Sequence, residues 1–287
     1  MNTILKVEHL SKKYEHFCLR DISFSLPSGC IMGLIGENGA GKTTTLKLIL
    51  NLIRRDGGSV EIFGKDGIQE EKSVKEQIGV VLDEGGFHEM LTPRDIGNIM
   101  KGVYLKSWDG ALYQRYLERF SLPGRKQIKE FSRGMKVKLS IAAALSHHPR
   151  FLLLDEATSG LDPVMRDEIL DIFQEFITEE NHAVLLSSHI TSDLEKIADY
   201  ITFIHKGELL LSAPKDDLLD HYGVLKCGKE AISRMDRADV VARRSNSFGC
   251  EALVRDRREA RRKYPDAVID AATLDDIMLF YVKGEKI

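Results

Sequence analysis

The chain reads as an α/β protein. Its core is built on a phosphate-binding loop, with an N-terminal antiparallel β part, an inserted helical subdomain and a small C-terminal α+β appendage. Three observations carry that reading. The stretch Gly36-Glu37-Asn38-Gly39-Ala40-Gly41-Lys42-Thr43-Thr44 fits the pattern G-x-x-x-x-G-K-[ST] and stands between a short apolar run and a helical pattern. Two further apolar runs, Phe151–Leu154 and Ala183–Leu186, have the length and flanks of buried strands. Between them and the loop, residues from about 88 to 147 switch to helical periodicity.

The glycine stretch states its own chemistry. Glycines let a backbone turn its amide hydrogens inward as a nest for anionic oxygens. The helix that follows starts with unpaired amides and a partial positive charge, which also favours phosphate. Lys42 adds a full positive charge for the β- and γ-phosphates, and the Thr43 hydroxyl is a hard oxygen suited to Mg²⁺. The expected ligand is a nucleoside triphosphate with magnesium.

Composition narrows the class without naming a task. The chain has 287 residues, 43% hydrophobic and 30% charged, the balance of a globular protein. A net charge of −3 gives no overall field toward nucleic acid or membrane. Cys18, Cys30, Cys227 and Cys250 show no metal-ligand spacing, so reduced thiols in a cytoplasmic protein are expected. Met1–Leu10 carries no signal-peptide pattern. No apolar run approaches the ~18 residues of a membrane span.

In chain order, Ile4–Leu10 and Ile22–Leu26 alternate as strands, and Pro27-Ser28-Gly29 turns into the central strand Cys30–Ile35. Tyr14, between the first two strands, is either a surface tyrosine or a ring that stacks on a purine. Thr43–Leu52 places Leu46, Ile49, Leu50 and Ile53 at helical spacing. Ser59–Phe63 and Ile78–Leu82 are further strands, the second running into Asp83-Glu84-Gly85-Gly86. Thr92-Pro93-Arg94-Asp95 is a helix start with a capping hydroxyl, an early proline and an acid three residues on. That helix runs to about Tyr104. A second covers Trp108–Phe120 with Leu112, Tyr116, Leu117 and Phe120 on one face, and a third runs from Ser132-Arg133-Gly134 to about Ser146.

The strand at Phe151–Leu154 ends in Asp155-Glu156. Ligands of open α/β sheets bind beyond the carboxyl ends of strands. There the first acid can hold a magnesium-bound water and the second can take a proton from an attacking water. Ser159–Pro163 turns into a helix. His189 follows the strand Ala183–Ser187, either as a satisfied polar histidine or as a contact to a γ-phosphate. Tyr200–Ile204, a Lys206-Gly207 turn and Glu208–Leu211 form a hairpin, and Pro214 opens a short helix. Beyond Gly223 come weak strands at Asp239–Arg243 and Glu251–Asp256, then a basic run at Arg255–Lys263. The run is either a solvated face or a contact for lipid headgroups or RNA. A final helix is capped by Thr273 and Asp276, with Leu274, Ile277, Met278 and Tyr281 in line. The division expected is 1–212 for the nucleotide-binding part and 213–287 for the appendage.

These pieces, in this order, resemble the nucleotide-binding subunit of an ABC transporter over residues 1 to about 212, a P-loop NTPase. The resemblance implies that Tyr14 stacks on adenine. It makes Gly36–Thr44 the Walker A loop and Phe151–Asp155 the Walker B strand. Glu156 becomes the catalytic glutamate, Ser159–Asp162 the D-loop and His189 the switch histidine. Phe131-Ser132-Arg133-Gly134-Met135 stands at the signature, where the Ser132 hydroxyl and the Gly134 amide would meet the γ-phosphate. The family's ligands are ATP and Mg²⁺, held by Thr43, Asp155 and the Q-loop position, which here is Asp83, or Glu84 if the loop is shifted by one. The signature departs from L-S-G-G-Q at Arg133 and Met135. Asp83 replaces a glutamine and cannot donate a hydrogen bond as an ionised carboxylate.

The implied mechanism is an ATP-driven dimer, homo- or heteromeric. One protomer's Walker A and the other's signature share each ATP, and a separate transmembrane permease supplies the pore. Such a subunit sits on the inner face of the cell membrane and needs no nucleic acid. The form of the signature and the closing Leu274-Asp275-Asp276-Ile277 resemble subunits of ABC-2-type exporters. Two other readings stay open: a soluble ABC ATPase acting on nucleic acid or ribosomes, and an ATP-binding switch with little turnover.

Overall fold

The computed structural model describes residues 2–82, 86–228, 235–245 and 249–285. Asp83 and Glu84, the two Q-loop candidates, lie outside the described residues. Three strands are buried along their full length: β3 (Ile31–Ile35), β7 (Phe151–Asp155) and β8 (Ala183–Ser188). Such runs suit parallel strands covered on both faces. β3 pairs in parallel with β8 and with β9 (Tyr200–His205), and β7 pairs in parallel with β8 and with β6 (Ile78–Val81). Their carboxyl ends therefore open on one side, where the glycine stretch leaves β3.

The sheet continues by hairpin. β9 turns through Lys206 (φ 48) and Gly207 (φ 80) into antiparallel β10 (Glu208–Pro214). Two left-handed residues in a two-residue loop match the strand twist. β10 joins the antiparallel part through the Glu208–Arg20 bridge to β2 (Cys18–Pro27). Beyond it lie β1 (Thr3–Lys13), β4 (Gly57–Ile62) and β5 (Lys65–Asp66). The order is β5-β4-β1-β2-β10-β9-β3-β8-β7-β6, a curled mixed sheet of ten strands. The helix after the loop, α1 (Lys42–Ile49), ends sooner than its apolar spacing suggests. Asn51 takes a left-handed conformation (φ 52) that its short amide side chain tolerates, and this stops the turn. A short helix, α2 (Glu71–Lys75), and β5 escaped the sequence reading because neither is long enough to show a period.

The helical layer follows its caps. α3 (Pro93–Tyr104) starts on a complete capping box: the Asp95 amide donates to Thr92 Oγ1 at 3.3 Å, and the Thr92 amide donates to Asp95 Oδ2 at 2.9 Å. α4 (Gly110–Arg119) is capped by Asp109, and α5 (Arg133–Leu145) by Ser132. Tyr113 is the buried anchor the sequence reading passed over. Its hydroxyl donates to Pro93 O at 2.9 Å, and its ring lies where a Cβ on Gly97 would come within 2.9 Å.

His147 fastens this layer to the sheet. It is buried, stacks on Tyr104 at 3.8 Å, and its Nε2–H donates to Ile78 O at 3.1 Å, at the start of β6. Burial pushes its pKa down to about 4 from 6.5. The unfolded chain therefore binds more protons between those values, so stability is full above about pH 6.5 and falls as the pH drops toward 4. At pH 5 this one group is expected to cost about 2 kcal/mol. Urea unfolding at pH 7.5 and 5.0 checks it: the wild type should lose that much more than His147→Phe, and equal losses would contradict the assignment.

The chain beyond the hairpin adds α8 (Lys215–His221) and a four-stranded sheet. Its strands are β11 (Gly223–Cys227), β12 (Val240–Ser245), β13 (Cys250–Val254) and β14 (Val268–Ala271), in the order β12-β13-β11-β14. β11 and β14 were not legible as strands. The basic run folds as helix α9 (Arg257–Lys263) and pairs part of its charge with nearby acceptors. Arg261 Nη2 donates to Ile269 O at 2.9 Å, and Lys263 bonds Asp239 Oδ2 at 2.6 Å. The last helix, α10 (Leu274–Lys283), has its expected capping box. Leu274, Ile277 and Phe280 form its buried row, while Tyr281 packs edge-on against Phe203 of β9. The Leu274 amide donates to Glu195 Oε1 at 2.7 Å, which ties this helix to α7 (Thr191–Ile197).

Candidate active site

The glycine loop wraps the carboxyl end of β3. A Cβ on Gly36 would lie 2.3 Å from Ile204 O, so only glycine lets the chain pass this close to β9. Gly41 (φ 118) needs glycine for its backbone, and a Cβ there would press on Leu19 and Phe17. Glu37, Asn38 and Gly39 are exposed at the crest of the loop; Ala40 is buried beneath, where its carbonyl accepts from the Gly207 amide at 2.9 Å. Thr44, half-buried, follows in the first turn of α1.

Lys42 folds back into its own loop. Its ammonium, on a side chain 5% exposed, donates to Gly36 O at 2.8 Å and to Glu37 O at 3.3 Å, and pairs with Glu156 Oε1 at 3.2 Å. Thr43 Oγ1 donates to Asp155 Oδ2 at 2.8 Å. The other Asp155 oxygen accepts from Ser187 Oγ at 2.5 Å. The Glu156 carboxylate is also 2.6 Å from His189 Nδ1, a separation at which the ring N–H donates to it. Residues 42, 43, 155, 156 and 189 thus share one cluster.

Glu156 is held in an unusual backbone state. Its φ is 52, left-handed for a residue with a Cβ, a conformation that costs about 1–2 kcal/mol. Its amide donates to Ser187 at 3.1 Å, both to Oγ and to the carbonyl. Ser187 therefore orients both acids, through the register that sets Asp155 opposite Ser187. The sequence reading missed it because strand register is not written in periodicity. The available signal was a hydroxyl at the carboxyl end of an otherwise apolar strand.

The remaining candidates lie around this cluster. Tyr14 is 43% exposed at the tip of the β1–β2 turn, with the Lys12 ammonium 5.6 Å from its ring centre. Phe17, which the sequence reading did not single out, lies beside the loop, where a Cβ on Gly41 would come within 3.1 Å of its ring. Ser132 is exposed at the head of α5, where its Oγ accepts from the Met135 amide at 3.3 Å. Gly134 is buried against α6 (Pro163–Phe176), where a Cβ would lie 2.2 Å from Met165 Sδ. The structure does not bring Ser132 and Gly134 to the Lys42 cluster by any contact among the described residues.

The family described as ABC transporter matches residues 19–159. The bacitracin transport ATP-binding protein BcrA of Bacillus licheniformis is 36% identical over 224 residues, 76% of this chain and 72% of that one. The chain belongs to the ABC transporter family. The lantibiotic transport ATP-binding protein SrtF of Streptococcus pyogenes is 32% identical over 74% of this chain and 92% of its own length. A solved ATP-binding subunit of an ABC transporter matches at a TM-score of 0.68 and 28% identity, over 75% of this chain and 91% of that one. This ABC protein is an ATPase subunit that powers a membrane transporter. Among the described residues no helix is long and apolar enough to cross a membrane.

Proposed function

We propose that this subunit hydrolyses ATP at the Lys42–Thr43–Asp155–Glu156–His189 cluster, in a two-copy assembly that drives an exporter from the cytoplasmic face of the membrane. One observation carries the reading: a cation and a hydroxyl from the loop meet two acids more than 110 residues later and a histidine beyond them, all within 3.2 Å contacts. The loop amides and the Lys42 ammonium bind the β- and γ-phosphates. Glu156 stands at a strand end to accept a proton from an attacking water, and His189 holds that carboxylate in place. The exposed Tyr14 ring is the surface offered to adenine.

The Thr43 hydroxyl and the buried Asp155 carboxylate are hard oxygens that meet here and would hold a Mg²⁺ ion. Bound there, it would neutralise charge on the phosphates. Ser187 keeps Asp155 oriented toward Thr43. On the outer side of the helical layer, Met90, Ile99, Val103 and Leu105 are large apolar side chains 48–76% exposed. This face docks a cytoplasmic helix of the separate permease. The names of the bacitracin and lantibiotic relatives suggest an antimicrobial peptide as the cargo.

One chain carries one Walker A loop and one signature, and Ser132 is exposed for a second copy. The test is complementation between inactive variants, Lys42→Ala and Ser132→Arg. In a mixed dimer one composite site carries both lesions and the other carries none. Mixing is expected to restore about a quarter of wild-type turnover, since half the dimers are mixed and half their sites intact. A mixture as inactive as its parts would overturn the shared-site arrangement.

A further inference from the structure

Behind the Glu156–His189 pair lies a buried polar cluster that the mechanism above does not use. Asp193, in the first turn of α7, is 4% exposed, and Thr158 is wholly buried just after Glu156. Arg166, in the first turn of α6, donates through Nη2 to Leu161 O in the D-loop at 3.3 Å and places Nη1 3.8 Å from Asp193 Oδ1. The three residues come from the segment after the Walker B strand, the helix after the D-loop and the helix after His189.

The cluster is not fully hydrogen-bonded. Asp193 Oδ2, Thr158 Oγ1 and Arg166 Nε are each buried without a protein partner in hydrogen-bond geometry among the described residues. Burial pushes the Asp193 carboxyl above its usual range, while the Thr158 hydroxyl and the charges of Arg166 and His189 pull it back. Thr158 thus faces Asp193 without closing a bond. A cluster with a purely structural task is expected to be satisfied, because an unpaired buried polar group is costly. Partial satisfaction in three groups that meet at two loops leaves room for a second, tighter arrangement.

We propose that Asp193, Arg166 and Thr158 are positioning residues that link the D-loop to the Glu156–His189 pair, so that the place of the D-loop sets the aim of the candidate base. Arg166 grips the D-loop carbonyl with one nitrogen and faces Asp193 with another. Asp193 sits four residues after His189, in the first turn of the helix that follows that histidine directly. A displacement of Leu161 then moves Arg166, and through Asp193 it turns His189 against Glu156. The inference rests on the reading of Glu156 and His189 as site residues.

The test is steady-state ATP turnover of the full chain carrying Asp193→Asn, Asp193→Glu, or Asp193→Asn combined with Arg166→Met. Asp193→Asn keeps the shape and removes an incompletely paired charge, so the melting temperature should hold or rise. Its kcat should fall about tenfold at an unchanged KM for ATP, because misaim costs the chemical step and not binding. Asp193→Glu should restore most of that loss, and the double variant should be no slower than the single one. Wild-type kcat in Asp193→Asn, a kcat loss that tracks a fall in melting temperature, or losses that multiply in the double variant would each overturn the proposal. Glu156→Gln is the separate control: full turnover there refutes the site reading itself, whatever the cluster does.

Discussion

Glu156→Gln is expected to lower ATP turnover at least about a hundredfold while ATP binding holds or tightens. A positioned general base contributes about 10²–10⁴ in rate, and an amide of the same shape cannot take the proton. Binding should not suffer, for an electrostatic reason. Glu156 now neutralises part of Lys42 across 3.2 Å, and removing its charge leaves the ammonium more fully available to phosphate. The variant should therefore gather as an ATP-loaded dimer of twice the mass on gel filtration. Phosphate release, fluorescent-nucleotide titration and elution volume read the three effects. Turnover within threefold of wild type would remove Glu156 from the chemistry.

Lys42→Ala is expected to act at the binding step, weakening ATP by a factor of about 50 or more. The lost charge-assisted contacts to phosphate are worth about 1.5–3 kcal/mol in total on their own. Two further losses add to this. The ammonium ties Gly36 O and Glu37 O together, so the loop loses an internal clasp. The Glu156 carboxylate, only 13% exposed, also loses its cation. Calorimetric titration with ATP checks the effect, and an unchanged dissociation constant would place the triphosphate elsewhere.

Much of the fold was legible because its signals are local. The capping boxes at Thr92 and Thr273, the Lys206-Gly207 hairpin and the fully apolar strands before Gly36 and Asp155 each declare themselves within a few residues. What stayed hidden is relational. Ser187 became part of the site only through its pairing opposite Asp155, and Phe17 came beside it only through the fold that sets its ring next to Gly41. Tyr113 and Phe280 turned out to anchor their helices where neighbouring residues fit the apolar rows equally well. In α9, Arg261 and Lys263 satisfy partners in and beside their own small sheet, which composition alone cannot show. Arg133 and Met135, which depart from the pattern L-S-G-G-Q, stand at the head of a regular helix capped by Ser132.

The central claim is that the glycine loop and the two strand-end acids serve one metal-bound triphosphate. A crystal structure of Glu156→Gln grown with ATP and Mg²⁺ tests it most directly. The account predicts triphosphate density cradled by residues 36–44, with Lys42 on the phosphates and the metal against Thr43. Density for the nucleotide at any other surface, with this loop bare, would contradict it.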